Sequence, residues 1–416
     1  IAASKTTSLI VADPVESAAR DRYFARAFSH LDAAIRAEPK QPFYRIQRAL
    51  VASHRFARLG ASDAARAVAE RDSARREIEA LLTAFPEDAD AKLAAAVASL
   101  TFDGRTGAAR AANLARDVLE SSGGDGERTT FIFAARQTLA AAHERLGEWE
   151  EAAKQFEILL EGTRSAGETA QLAGAYFDLL DRAGEALAQR AEGETAPGET
   201  APAPEGPQVA RMAQIGVNLV RKNWPFEEAK LLTDALARRL LFSPSRFQIM
   251  RAVRDAGGES ATLLWATMAH YRLESARNAL TVPGAPPTAD AEEDRATSEL
   301  NAANNALVAI ANGNSPMAAR AAAFLAERGE LSPEDGARWL RRAASLEPRD
   351  LALQFSLLEM LGADEKNAEF AATLRREIAT KFDLNAESAR QLGLLAWSQN
   401  DDATARILGE ESYQQS

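Results

Sequence analysis

Between residues 139 and 160 the apolar positions recur with the period of a helix, stop, and then resume. Leu139 and His143 fall on one face of a first helix, Gly147 interrupts it, and Trp149 opens a second whose buried stripe is Ala152, Phe156 and Leu159 at i, i+4 and i+7. The pattern predicts two amphipathic helices folded back on each other. A pair of that kind cannot bury its apolar face alone, so it requires neighbours built the same way. They are present. Ala27, Leu31, Ala34, Ile35 and Pro39 share their spacing with Ala74, Ile78, Leu81, Leu82 and Pro86, and with Gly336, Leu340, Ala343, Ala344 and Pro348. Each Pro closes its helix, because the ring pushes the preceding residue out of the α region and offers no N–H to the ladder. Ala74 and Ala108 are 34 positions apart and Gly336 and Ala405 are 69, with Ala371 between them.

A Leu and a small residue in a first helix, a Gly at the turn, an aromatic two residues later and a small-x3-aromatic run in the second helix resemble the tetratricopeptide repeat, with a period of about 34 residues. The 139–160 unit matches except at the closing Pro, which is Arg164 here. Leu392, Gly393, Ala396 and Ala405 repeat the pattern, with Asn400 where Gly is usual, and Ile215, Gly216 and Ala229 form another unit with an extra residue at Trp224-Pro225. The spacing is irregular. Ala27 to Ala74 spans 47 positions, expected to hold an extended helix or a longer turn around Gly60, and Ala108 to Ala152 spans 44, with a loop at Ser121–Gly126. The resemblance implies an all-α fold, an α-solenoid of helix-turn-helix repeats, and a surface for protein partners. An irregular helical array with the same layers is the alternative.

Composition agrees. Ala, Leu, Arg and Glu dominate a chain of 416 residues, 46% hydrophobic and only 6% aromatic, and Ser8–Ala12 is the only candidate strand. Glu192–Pro207 carries Gly-Glu-Thr-Ala-Pro twice in tandem with no apolar anchor, and reads as a linker or long surface loop. A second break, Thr281–Asp294, ends in acidic residues suited to a helix N-terminus. The expected organisation is an N-terminal repeat block at 1–190, a linker or loop at 191–208, a middle helical segment at 209–294 and a C-terminal repeat block at 295–416.

Lys plus Arg number 49 against Asp plus Glu 60, a formal net charge of −11 that repels phosphates, and no basic run exceeds a pair such as Arg238-Arg239 or Arg375-Arg376. Nucleic acid is therefore not an expected partner. No apolar run reaches 18 residues, so no membrane span is expected. Zero cysteines excludes disulfides and thiolate chemistry. The start at Ile1 implies a removed N-terminal segment, and with the missing cysteines it tilts the expected location toward the cell envelope or export from a high-GC bacterium, with the cytoplasm as the alternative.

Catalytic patterns are missing. His30, His54, His143 and His270 are scattered without an H-E-x-x-H arrangement, His143 standing where the repeat usually carries Tyr, and there is no phosphate loop, dinucleotide fingerprint or nucleophile elbow. Neither cofactor, metal nor enzyme activity is expected. The resemblance places a partner groove along the first helices of the repeats, where one subclass holds a C-terminal carboxylate with a clamp of Lys, Asn and Arg. The matching positions here, Ala134, Gln137 and Ala141, or Glu387, Arg390 and Leu394, lack that clamp. A concentration of asparagine supplies another candidate: Asn301, Asn305, Val308 and Asn312 share one side of a helix, and their amides can bond a peptide backbone whatever its sequence. The other reading has Asn312 and Asn314 forming the turn before Ser315-Pro316, with the rest facing solvent. Arg390 and Trp397 complete the candidate partner-binding set; Trp149, Trp224, Trp265 and Trp339 are expected in inter-helix packing. The function these residues suggest is a protein-interaction scaffold or adaptor. A structural subunit of a larger assembly and an accessory domain of a larger enzyme are the alternatives.

Overall fold

The computed structural model describes residues 14–57, 64–101, 104–121, 129–194, 207–281, 289–328, 332–362, 367–382, 384–398, 401 and 404–409. Every regular element among them is helical. Contacts divide the chain into two compact units, Ile1–Gly162 and Thr163–Ser416. The first holds α1 (Pro14–Ala37), α2 (Pro42–Ala57), α3 (Ala64–Ala84), α4 (Ala89–Ser99), α5 (Arg105–Ser121), α6 (Thr129–Leu146) and α7 (Trp149–Gly162). The second holds α8 (Ala166–Glu194), α9 (Pro207–Arg221), α10 (Phe226–Leu241), α11 (Arg246–Ala256), α12 (Glu259–Leu280), α13 (Ala289–Ala311), α14 (Ala318–Arg328), α15 (Pro333–Leu346), α16 (Leu351–Gly362), α17 (Ala368–Lys381) and α18 (Ala386–Ser398), followed by a short helix at 404–409.

The expected punctuation sets the helix ends. α1, α3 and α15 each stop two residues before Pro39, Pro86 and Pro348. Gly147 adopts φ +76° after α6, a conformation that costs a Cβ-bearing residue about 1–2 kcal/mol. Its N–H donates to the Glu144 carbonyl and that of Glu148 to the His143 carbonyl, which satisfies the last carbonyls of α6 and turns the chain into α7. His143, buried beneath this turn, has Nδ1 2.6 Å from the Glu148 carboxylate. α15 begins with Ser332, whose hydroxyl accepts from the Asp335 N–H, and with Pro333 in the first turn.

Within each unit consecutive helices pack on each other, and alternate ones such as α2 and α4, α8 and α10, or α16 and α18 also meet, while α9 reaches α12. In the first, α2 lies against α1, α3 and α4, and α6 against α4, α5 and α7; in the second, α16 contacts α15, α17 and α18. This nearest-neighbour stacking is that of an α-solenoid of TPR-like helix-turn-helix repeats. The core of the first unit is built of small residues around a few large ones: Ala49, Ala74, Ala91 and Ala95 surround Ile78 and Leu81. Alanine at the crossings lets axes approach closely, so few aromatics are needed. Burying Ile78 contributes roughly 1.5–3 kcal/mol. In the second unit Tyr176 and Phe177 on α8, Leu232, Leu236 and Leu240 on α10, and Leu264 on α12 are almost completely buried.

Helix α8 runs 29 residues, and both α9 and α10 pack on it from beyond residues 195–206. The boundary between units falls at Gly162/Thr163, and α8, α9 and α10 belong to one unit. The physical reason is the breadth of apolar surface on α8, which needs two partner helices to cover it. Ser8–Ala12, the turn at Gly60, most of the loop at Ser121–Gly126, Asn400 and most of Glu192–Pro207 lie outside the described residues.

Candidate functional site

With α3, α5 and α7 as second helices of the hairpins, α2, α4 and α6 are the first helices. Between α2 and α4 lies a groove of about 510 Å³. Its walls are Phe43, Ile46 and Leu50 on α2 and Leu93 and Val97 on α4. Two of these are unusually open for their type: Phe43 is 55% exposed and Val97 41%. The spacing Phe43, Ile46, Leu50 is i, i+3, i+7, a second apolar stripe on a helix that already buries Ala49 and Ala52 elsewhere on its circumference. Among the described residues Asp90 is the one charged group in the lining. Behind the groove α2 is held by ion pairs, Arg48 with Asp32 of α1 and Glu77 of α3, and Arg55 with Glu70 of α3 at 2.7 Å. The groove is therefore apolar on a braced frame, with one carboxylate at its edge.

The asparagines of α13 are split by the helix phase. Asn301 and Asn305 are exposed, Asn304 is buried, and Val308 is half-buried between the two faces. Asn312 is exposed and sits just past the end of α13, its N–H donating to the Val308 carbonyl. Asn314 belongs to the following turn, where its side-chain oxygen accepts from Arg342. Arg390 and Trp397 lie on α18. Arg390 pairs with Glu387 one turn earlier, at 2.7 Å, and Trp397 is 67% exposed. These two groups are not brought together: α13 packs on α12, α14 and α15, and α18 on α16 and α17. Trp265 and Trp339 are buried, and Trp149 and Trp224 are half-buried. Trp265 Nε1 donates to Glu299, which also takes Arg272, while the same arginine reaches Glu292 at 2.8 Å; these bonds tie α12 to α13.

A third polar constellation lines a small cavity of about 40 Å³ between α10, α12 and α14. Arg328 makes a bidentate ion pair with Asp234, one arm at 2.7 Å, and Lys230 meets Glu327 at 2.6 Å. Burial opposes the Arg328 charge, but the Asp234 carboxylate outweighs it and holds the guanidinium above its ordinary range. Arg320 donates to the Val220 and Trp224 carbonyls at 3.2 and 2.8 Å, closing the C-terminal end of α9, and burial lowers its pKa. At the rim, burial first and then Asp350 and Glu327 push the Glu227 carboxyl up against the opposing pull of Lys230. The cavity holds a few waters at most; Lys230, Asp234, Glu327 and Arg328 are paired with one another and Arg320 is bonded to carbonyls. Its role is to clamp three helices.

Among the described residues no group of three or more His, Asp or Glu side chains could hold a metal, and no helix is long and apolar enough to cross a membrane. The reading of the sequence missed Phe43 and Val97, although a second apolar stripe on α2 was there to be read.

No protein-family model matches this chain, and no curated protein does. Among solved structures, the chain aligns with one titled as Naa15/Naa10 bound to HypK-THB at 11% identity and a TM-score of 0.27, covering 94% of this chain and 66% of that one. It also aligns with the crystal structure of yeast Tom70 at 12% identity and a TM-score of 0.26, covering 95% of this chain and 89% of that one. At such scores the likeness assigns nothing to this chain.

Proposed function

We propose that the chain is a non-catalytic TPR-like scaffold or adaptor that holds protein partners, with the α2–α4 groove as its first docking surface. The observation that carries this reading is the placement of Phe43 and Val97, open to solvent, on facing first helices around a lined groove. Apolar side chains kept in water at such a site are stabilised only when something covers them. The occupant is an apolar helical segment with a basic residue opposite Asp90, since that carboxylate is the only charge in the lining among the described residues. Asn301, Asn305 and Asn312 offer amides to a partner backbone as a further contact, with Arg390 and Trp397 as another on α18. Nucleic acid does not fit so acidic a chain. The test is a pull-down with the parent protein, identification of the captured partner, and calorimetry comparing Val97→Glu and the pair Asn301→Ala/Asn305→Ala with the parent. Val97→Glu is expected to weaken binding at least tenfold, with circular dichroism unchanged. Unchanged affinity for both variants rejects these surfaces.

A second reading, a structural subunit, is favoured by one observation. Leu394, Trp397 and Ile407 are 52%, 67% and 59% exposed in the last described helices. If they carry an assembly contact, Trp397→Glu abolishes an oligomer seen by light scattering. A monomeric parent removes that reading.

A further inference from the structure

The second unit contains a groove of a different character. It lies over α16, between α15 and α17, and has a volume of about 860 Å³. Its floor is apolar: Ala344, Leu357, Leu374 and Ile378 are all buried. Phe370, 48% exposed, and Phe382 stand at its sides. Three cations line it, Arg341, Arg349 and Lys381, against one carboxylate among the described residues, Glu377, which is already 3.4 Å from Lys381. Among the described residues Arg341 meets no carboxylate; it donates to the Asn367 side-chain oxygen at 2.8 Å and lies over the Phe370 ring at 5.3 Å. Arg349 is exposed and makes no ion pair with a described residue.

This arrangement runs against the rest of the molecule. The chain carries −11 overall, yet among the described residues lining this trough cations outnumber carboxylates. Solvent-exposed charge of one sign beside apolar walls attracts a ligand of the opposite sign that also has apolar surface to bury. We propose that this groove binds an acidic amphipathic segment of a partner protein, with its apolar side chains on Phe370 and Phe382 and its carboxylates on Arg349 and Arg341. Arg341 is positioned by Phe370 and Asn367, and its guanidinium keeps further N–H groups that can donate to a carboxylate. A nucleic-acid strand fits less well, because three cations release few counterions and the net charge of the chain repels phosphate. The groove lies between the second helices of two hairpins, on a surface distinct from the first-helix groove of α2 and α4. The proposal rests on the reading of the chain as a binding module, but on separate residues, so the two fail independently.

The experiment uses the full chain and a fluorescein-labelled 16-residue helical peptide with Leu and Phe on one face and Glu on the other. A matched peptide with Lys in place of Glu and a labelled oligouridylate serve as competing probes. Fluorescence anisotropy is expected to show saturable binding of the Glu peptide, at least tenfold tighter than the Lys peptide and weakened by 0.5 M salt. Arg349→Glu is expected to weaken it at least tenfold and Phe370→Ala several-fold. Both side chains are exposed, and unchanged circular dichroism and melting confirm that each variant folds. Val97→Glu, in the other groove, is expected to leave the Glu peptide affinity unchanged. Equal binding of both peptides, preference for the oligonucleotide, insensitivity to Arg349→Glu, or no binding by a folded parent each overturns the proposal. So does a dimer by light scattering that Phe370→Ala dissolves, since the occupant is then a second copy of this chain.

Discussion

The Arg328–Asp234 pair is the sharpest test of how the second unit is held together. It joins α14 to α10 across 94 residues of sequence, both side chains are 18% exposed, and the guanidinium also lies 5.5 Å from the Tyr271 ring centroid. Removing one partner of a buried ion pair typically costs 3–5 kcal/mol, because the other charge is left desolvated without compensation. Residual exposure of both groups reduces this, so Asp234→Ala is expected to destabilise the second unit by about 2–4 kcal/mol. Arg328→Ala should cost a similar amount, plus roughly 0.5–1 kcal/mol for the lost contact with Tyr271. At about 2–4 °C per kcal/mol for a unit of this size, Asp234→Ala lowers its melting temperature by roughly 4–16 °C and Arg328→Ala by roughly 5–20 °C. The double variant Asp234→Leu/Arg328→Met removes both charges and keeps apolar volume, and is expected to regain most of that loss. Urea unfolding followed by far-ultraviolet circular dichroism, fitted with separate transitions for the two units, measures each value. Single variants within 0.5 kcal/mol of the parent, or a double variant whose loss equals the sum of the singles, would refute the view that this pair clamps α14 to α10.

Two further outcomes follow from burial and charge. Phe156, expected as the buried aromatic of α7, is only half-buried, so Phe156→Ala should cost about 1–3 kcal/mol in the first unit rather than the 3–5 kcal/mol of a fully enclosed Phe; chemical unfolding of residues 1–162 within the intact chain reads the difference. Burial raises the pKa of Asp401, but hydrogen bonds from Thr404 and the nearby Arg375 outweigh it and leave the carboxyl below its ordinary value. A depressed folded pKa contributes stability that is present above the unfolded value of about 3.9 and is lost as pH falls through the folded one. The stability gap between the parent and Asp401→Asn should therefore be constant from pH 7 to 5 and close below about pH 4. Taking the difference removes the opposite slope from Asp181 and Glu227, whose pKa values burial raises, so that their share of stability falls as pH rises through the carboxylate range. A gap that does not begin to narrow as pH falls below about 4 contradicts the assignment.

Helices and their ends were legible in the residues because they are local. A 3.6-residue stripe such as Ala152, Phe156 and Leu159 selects its own helix, Gly147 supplies the only cheap route through a positive φ, and a Pro two residues on stops α1, α3 and α15 wherever they are packed. The tertiary structure alone decided which stripes are covered. Periodicity placed Asn301, Asn305 and Asn312 together, but it could not say that the packing around α13 would bury Asn304 and leave Asn301 and Asn305 in solvent. It could not place the break between units at Gly162/Thr163, because that depends on α8 gathering α9 and α10 from beyond 195–206. Nor could spacing bring Arg328 to Asp234 or set Arg341 and Arg349 beside Phe370 over α16. Charge and apolar surface act through distance in space, and a contact between residues far apart in the chain leaves no period in the sequence to be read.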